Sequence, residues 1–384
     1  MGIVSNTLHH IVVVGSLPPP VTGQSKNLAL IAEDVADRLG ADRCAVANIS
    51  SDEIQRSANG SVLKLMRLVR ALTLLTVRRL RGRGTLYMVA EGNLGLPINL
   101  MVTALARGLG YRIVLQHRTF SYIDVPKRLM ALLNWMMGPE ALHVFLSEGM
   151  AEQYYARYSP RRPHMVNHNL AQTNNFFAEV NATPPTPRDP DQLVVGYLSN
   201  LMRAKGIDTI VEIARLCAAR QINVRFIVAG GAAGPEEQAL MDAACAELPV
   251  SRMDWRGPLH GSEKFAFYRG IDVFVFPTRY HLEAQPNVVL EAQAAGAYVV
   301  ASDFGVIRED LAAGGGNLVP RTEVQNAKYW CDVIEQLAAD RNQLIKQRGK
   351  RQALTKKRIV AARQGYEELL TSLTGTPTED EPRS

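Results

Sequence analysis

Ten apolar runs of four to six residues, each followed by a loop and then a helix-length stretch, leave this chain few ways to fold. Five lie in the first half: His10–Gly15 (HIVVVG), Ala45–Ile49, Thr85–Ala90, Arg112–Gln116 and His143–Leu146. Five more follow at Leu193–Leu198, Val224–Ala229, Met253–Arg256, Ile271–Phe276 and Tyr298–Ala301. Runs rich in β-branched and aromatic residues read as strands buried on both faces. Strands that alternate with helices imply parallel sheets with helices on both sides. The opening strand, the loop Ser16–Ser25 and a helix over Lys26–Leu39 have the form of a Rossmann-like unit. Between the two series, Asn181–Pro190 (NATPPTPRDP) has four prolines in ten residues and reads as a linker or a nearby surface loop.

A chain of 384 residues exceeds the usual size of one core, so two domains of comparable length are expected. The chain is expected to divide into 1–175 and 176–347, each Rossmann-like, then a helix over 348–373 that returns toward the first domain, and a frayed tail at 374–384. Cys44, Cys217, Cys245 and Cys331 have no paired spacing, which argues against a disulfide framework or a zinc site. A reducing cytoplasm is the expected setting. Met1–His10 has no charged-then-apolar leader, and no apolar stretch is long enough to span a bilayer. The protein is therefore expected to be soluble or held at a membrane surface. The net charge of +6 is uneven: residues 1–170 carry +8 and the remainder −2. A basic first half suits an anionic membrane or an acidic substrate. With no motif that reads DNA or RNA, nucleic acid is not an expected partner.

The stretch Phe276–Ala292 is the densest in signals. Pro277-Thr278 ends a strand, Pro286 suits the first turn of a helix, and that helix carries Glu291 and stops near Gly296. A strand feeding a loop and a helix amino-terminus presents N–H groups and the positive end of a dipole, a setting for phosphate. Glu283 in the loop and Glu291 in the helix, eight positions apart, can face one ligand. Arg203 and Lys205 likewise stand between a strand and a helix, where their cations can reach a diphosphate.

Glu283 to Glu291 forms a Glu-x7-Glu signature, and with it the chain resembles the family-4 retaining glycosyltransferases of the GT-B fold. The resemblance extends over most of the chain. It takes in the proline-rich loop ending at Gly23, His117 after a strand, Leu146-Ser147-Glu148, Lys205-Gly206, Gly230-Gly231, Phe276-Pro277-Thr278, and Gly305 with Glu309. It implies two Rossmann-like domains facing across a cleft, the first binding the acceptor and the second the nucleotide diphosphate sugar. Glu291 would then accept hydrogen bonds from the ribose hydroxyls, since a carboxylate's paired oxygens suit two neighbouring hydroxyls. Glu283 with Ala284, Gln285, Pro286 and Asn287 would hold sugar and pyrophosphate, and Lys205 and Arg203 would stabilise the leaving diphosphate. Gly23 would let the first loop's backbone approach the donor. His117 would lie near the donor sugar and the attacking hydroxyl, with Gln116, Arg118, Tyr122 and Asp124 on the acceptor side. One departure is visible: many relatives have an arginine directly after the glycine near the first strand end of the second half, where this chain has Ser199 and Asn200.

The implied activity is retaining transfer of a sugar from a UDP- or GDP-type donor to a hydroxyl of a glycan or lipid-linked acceptor, in bacterial envelope or exopolysaccharide synthesis. No metal and no cofactor are expected. The alternatives are an inert sugar-nucleotide-binding or scaffolding protein, and an epimerase on the same fold. Gly23-Gln24-Ser25-Lys26 lacks the order and spacing of a P-loop. Asp189-Pro190-Asp191 resembles a metal-binding Asp-x-Asp motif, but it precedes a strand, whereas such carboxylates belong at a strand's exit. Val62–Arg83 places Lys64, Arg67, Arg70, Arg78 and Arg81 on one half of a helical wheel with most leucines and valines opposite. It is expected to be either an outer helix of the first domain or a surface that rests on an anionic inner leaflet.

Overall fold

The computed structural model describes residues 9–19, 23–49, 58–92, 95–184, 189 and 191–375, with the side chains of 58–64 excepted. The chain forms two compact units, one of residues up to His168 and from Gln364 onward, the other Asn169–Arg363. The last residues of the tail expected at 374–384, and part of the proline-rich linker, lie outside the described residues.

In the first unit, strands β1 (His10–Gly15), β2 (Cys44–Asn48), β3 (Gly84–Ala90), β4 (Arg112–His117), β5 (Leu142–Phe145) and β6 (His164–Val166) make one sheet in the order β2-β1-β3-β4-β5-β6. All its pairings are parallel. Helices α1 (Gly23–Leu39), α2 (Ala58–Arg79), α3 (Leu96–Gly108), α4 (Ser121–Asp124), α5 (Arg128–Met136) and α6 (Glu148–Tyr155) connect the strands. Val12, Val13, Leu86, Met88, Val114 and Leu115 have no exposed surface, the result of helices covering both faces of β-branched and apolar runs.

The second unit repeats the design with β7 (Leu193–Leu198), β8 (Val224–Ala229), β9 (Met253–Trp255), β10 (Val273–Phe276), β11 (Tyr298–Ser302) and β12 (Gly316–Val319), ordered β12-β11-β10-β7-β8-β9 and again parallel. Its helices are α7 (Asn174–Ala182), α8 (Ile207–Ala219), α9 (Pro235–Glu247), α10 (Gly261–Gly270), α11 (Asn287–Ala294), α12 (Ile307–Gly314), α13 (Ala327–Ala339) and α14 (Arg341–Lys346). The long α15 (Arg348–Thr374) begins in this unit and ends in the first. At its start Arg348 donates to the carbonyls of Ile271 and Tyr268, at 2.8 and 3.0 Å. Near its end the Tyr366 hydroxyl meets Asp34, and Arg112 donates to the Ser372 carbonyl at 2.6 Å.

Two strands, β6 and β12, go beyond the ten expected, and each is an edge strand of its sheet. Two cysteines without paired spacing also meet: Cys217 on α8 and Cys331 on α13 lie with sulfurs 3.5 Å apart, both buried as thiols. The helical-wheel reading of 62–83 needs correction. Leu68, Ala71 and Leu75 face inward, but Leu65, Met66, Val69, Val77 and Leu80 are exposed beside Arg70 and Arg81, so apolar residues occupy both faces. Arg78 is spent on the Asp42 carbonyl, and the Lys64 side chain lies outside the described residues. Among the described residues no helix is long and apolar enough to cross a membrane.

Candidate functional site

In a doubly wound sheet, ligands gather at the carboxyl ends of the two strands where the connection order reverses. In the second unit the chain passes from β7 outward to β8 and β9, then returns to the other side of β7 as β10. The relevant loops are therefore those leaving β7 and β10, and they carry Lys205 and Glu283.

After β7 the chain bridges at Leu201 to Ala232, makes one turn over Arg203–Lys205, and reverses at Gly206 into α8. Gly206 has φ +88°, and a Cβ there would lie 2.2 Å from the Pro277 carbonyl oxygen, so only glycine lets the two loops close on each other. The contact is reinforced by Arg279, whose backbone N–H donates to the Ala204 carbonyl at 2.9 Å and whose guanidinium grips both Asp208 oxygens at 2.6 and 3.1 Å. Against this frame the Lys205 ammonium sits 3.3 Å from Glu283 Oε2, with side chains 24 % and 11 % exposed, and 5.6 Å from the Tyr280 ring centre. Glu283 is nearly enclosed. Burial pushes its carboxyl above the usual glutamate range, and Lys205 opposes that shift. A lysine so placed can offer a cation to an incoming anion beside a poorly solvated carboxylate.

The loop after Glu283 is held from below. Asn169 donates its N–H to Gln285 Oε1 at 2.8 Å, and its amide Nδ2 donates to the Gln285 carbonyl and to Asn287 Oδ1 at 3.1 and 3.0 Å. Gln285 Nε2 donates to Asp310, which also receives Arg358 at 2.9 Å. The Gln285 and Asn287 side chains thus brace the loop from within. Val306 donates to the Ala284 carbonyl at 2.8 Å, and Gly305, at φ +56°, passes so close to that carbonyl that a Cβ would lie 2.1 Å from it. Pro286 caps α11, whose first N–H groups have no carbonyl one turn earlier in their own helix. Within α11, Glu291 has both oxygens engaged: Lys264 Nζ donates to Oε1 at 2.6 Å and the Tyr268 hydroxyl to Oε2 at 2.8 Å.

Of the expected second-half residues, the structure brings Lys205 and Glu283 into contact and sets Ala284–Asn287 and Glu291 on one loop and helix start. Arg203 stands apart: its side chain is 52 % exposed and its nearest carboxylate is Glu236 at 3.9 Å. Sequence reading missed Asn169, Asp208, Lys264, Tyr268, Arg279 and Asp310, whose partners lie up to 118 positions away.

The other expected residues belong to the first unit. Gly23 is exposed at the start of α1, next to loop residues 20–22 that lie outside the described ones. His117 ends β4 but has no exposed surface: its Nδ1 is hydrogen-bonded to the Tyr122 hydroxyl at 2.8 Å and its Nε2 to His143 Nδ1 at 2.7 Å. Burial, followed by the charge of the neighbouring imidazole, holds His117 well below the usual histidine range, and burial brings His143 to about 3. Tyr122 is equally enclosed, so neither ring presents an open face to a sugar. Arg118 is 8 % exposed, and burial lowers it to about 10. Asp124 is exposed at the end of α4. Asp189 accepts the Asp191 N–H at 2.8 Å in an exposed turn, away from any strand exit. Among the described residues no group of three His, Cys, Asp or Glu side chains is placed to hold a metal ion.

Residues 192–340 match the family model described as Glycosyl transferases group 1. Curated relatives align over a similar length of chain, 157 and 150 residues for the two that follow. D-inositol 3-phosphate glycosyltransferase of Corynebacterium urealyticum is 29 % identical over 40 % of this chain and 36 % of its own length. The capsular polysaccharide biosynthesis glycosyltransferase CapM of Staphylococcus aureus is 26 % identical over 39 % of this chain and 38 % of its own. The match thus spans little more than a third of these relatives. Solved structures extend the likeness of fold to nearly the whole chain. Anabaena HepE in complex with UDP superposes with TM-score 0.67 at 16 % identity, covering 95 % of this chain and all of that one. Sucrose-phosphate synthase of Thermosynechococcus elongatus gives 0.68 at 16 % identity, covering 95 % and 99 %. The fold is the two-sheet α/β arrangement of GT-B glycosyltransferases.

Proposed function

We propose that this chain is a retaining glycosyltransferase that moves a sugar from a nucleotide diphosphate sugar to a hydroxyl of a glycan or lipid-linked acceptor in bacterial envelope or exopolysaccharide synthesis, without metal or cofactor. The observation that carries the reading is the Lys205–Glu283 pair at the strand exits beside the topological reversal of the second sheet, within the segment that matches the glycosyl transferases group 1 model. HepE has been solved with UDP and with UDP-glucose, which supports a uridine diphosphate donor.

In this mechanism the bond from the sugar's anomeric carbon to the diphosphate oxygen breaks, and its electron pair leaves with the phosphate. The acceptor oxygen bonds to the same face of that carbon, and its proton passes to the departing phosphate oxygen. Lys205 and the first N–H groups of α11 stabilise the charge that grows on the diphosphate. Glu283, held by Lys205 and by its own loop, orients the sugar hydroxyls by accepting their hydrogen bonds. Glu291 receives the ribose hydroxyls in place of Lys264 and Tyr268.

A second reading, a sugar-nucleotide-binding protein without transfer, has one observation in its favour. Ser199 and Asn200 stand where many members of the family that the chain resembles have an arginine, and the nearby Arg279 is committed to Asp208. Measurement separates the two. UDP or GDP is expected to raise the melting temperature, and Lys205→Ala is expected to lower transfer from the matching UDP- or GDP-sugar about 10²-fold or more. The anomeric configuration of the product, read by NMR, tests retention. Nucleotide binding with no transfer or donor hydrolysis from any common sugar conjugate would instead establish the second reading.

A further inference from the structure

We propose that Ser16, Gln24, Glu91 and Ser121 line a subsite of the first unit that takes an uncharged polyhydroxyl group, such as a sugar ring or a polyol. Calling its occupant the acceptor rests on the glycosyl-transfer reading above; the binding of a neutral sugar there does not.

The sheet of the first unit also reverses, since β1 is followed by β2 on one side and β3 on the other. Its crevice therefore opens at the carboxyl ends of β1 and β3. Ser16 is the residue after β1, and Glu91 is the residue after β3. The backbone at Glu91 is fixed: its N–H donates to Asn99 Oδ1 at 2.8 Å, and Asn99 Nδ2 returns a bond to the Val89 carbonyl at 3.1 Å. The carboxylate is less well served. Oε1 receives the Ser16 hydroxyl at 3.3 Å and Gln24 Nε2 at 3.5 Å, both long for bonds to a carboxylate. Burial raises its pKa, the Ser16 bond opposes that shift, and among the described residues no cation acts on it.

Alongside, the Ser121 hydroxyl is enclosed and has no hydrogen-bond partner among the described residues. It lies over Gly92, where a Cβ would come within 2.9 Å of it, so a larger residue there would crowd the hydroxyl. A half-buried carboxylate with unused lone pairs, a hydroxyl without a partner and a side-chain amide together offer hydrogen bonds to several O–H groups at once. A phosphate at the same position would face an uncompensated carboxylate in a desolvated wall and be repelled. Lys205, at the reversal of the second sheet, has the opposite charge, so the two crevices select opposite chemistries.

The test uses the full chain and saturation-transfer NMR with myo-inositol, methyl α-D-glucopyranoside, methyl α-D-mannopyranoside, N-acetylglucosamine and glucose 6-phosphate. At least one neutral compound is expected to give signals that fall about tenfold or more in Glu91→Ala, the loss of bonds to a charged group. Glu91→Gln, which keeps the shape and one carbonyl acceptor, is expected to stay within about threefold of the parent. Glucose 6-phosphate is expected to bind more weakly than the neutral glucoside. UDP-induced thermal stabilisation, unchanged in both variants, reports that they are folded. Signals undiminished in Glu91→Ala, a preference for the phosphate, or no binding of any neutral sugar would each overturn the subsite. If UDP and GDP both fail to stabilise the protein while a sugar binds through Glu91, the donor reading falls and the subsite stands.

Discussion

His117 and His143 show how much a single side chain's setting decides. Each imidazole is enclosed, and their contact at 2.7 Å requires one ring to donate while the other accepts, which two neutral rings can do and two imidazolium ions cannot. Because the folded values lie below the ordinary 6.5, the unfolded chain takes up protons first as the pH falls. Stability is therefore complete above that value and is lost as the pH falls below it toward the depressed folded values, at up to about 1.4 kcal/mol per pH unit for each ring. The urea midpoint is expected to drop between pH 7 and pH 5 in the parent and to drop less in His143→Phe; equal slopes would show that the pair does not govern acid stability. The same pair marks where sequence reading stops. His117 was legible as a strand-end histidine, but nothing local announces that residues five and twenty-six positions on close over it. Glu291 is similar: its position on α11 could be read from the sequence, whereas Lys264 and Tyr268, which hold its two oxygens, come from the preceding helix α10.

At the scale of elements, the exposed large apolar side chains of the first unit fall on one set of neighbours. Leu65, Met66, Val69, Val77 and Leu80 belong to α2 and its end, Met101 to α3, and Val125, Leu129, Leu132 and Trp135 to α5 and its approach. Helix α3 packs against both α2 and α5. Arg70, Arg81 and Arg128 are exposed among them, and an apolar face with basic neighbours matches the interface of an anionic bilayer. Trp135 is 69 % exposed, while Trp330 is fully buried and Trp255 partly so, which makes Trp135 the tryptophan whose emission reports on this face. Vesicles containing phosphatidylglycerol are expected to float with the protein and shift that emission to the blue, and vesicles of phosphatidylcholine alone to do neither. The double variant Val69→Glu, Leu80→Glu is expected to lose flotation; flotation that survives it would assign these residues to ordinary surface. Elements differ in legibility for a related reason. Buried central strands such as β1, β8 and β10 announce themselves as apolar runs, because both faces are covered. The edge strands β6 (HMV) and β12 (GNLV) are three and four residues long and only partly buried, so no run betrays them; they form because a neighbouring strand offers free backbone groups.

For the whole molecule, the informative quantity is strand order. The two sheets are not copies: β1 has one strand on its short side and β7 has two, and no sequence repeat links the halves. Both nonetheless reverse direction beside their first strand, and in both the residues with unsettled electrostatics stand at that reversal, Glu91 with no cation among the described residues in one unit and Lys205 with a desolvated Glu283 in the other. A core needs neither arrangement, since each leaves a charge in a poorly solvated place. Such charges persist where a ligand completes them, which makes the pattern of protection on binding the decisive observation. Hydrogen exchange with saturating UDP is expected to slow amides of residues 199–206 and 283–291 and leave those around Ser16 and Glu91 unchanged. A neutral sugar that binds through Glu91 is expected to do the reverse. Lys205→Ala is expected to erase the UDP-induced protection while leaving the β7, β8 and β10 amides as slow as in the parent, since its ammonium reaches Glu283 and Tyr280 outside the strands. UDP protection centred on the exits of β1 and β3 would show that the nucleotide sits on the first unit, and would reverse the assignment of the two crevices.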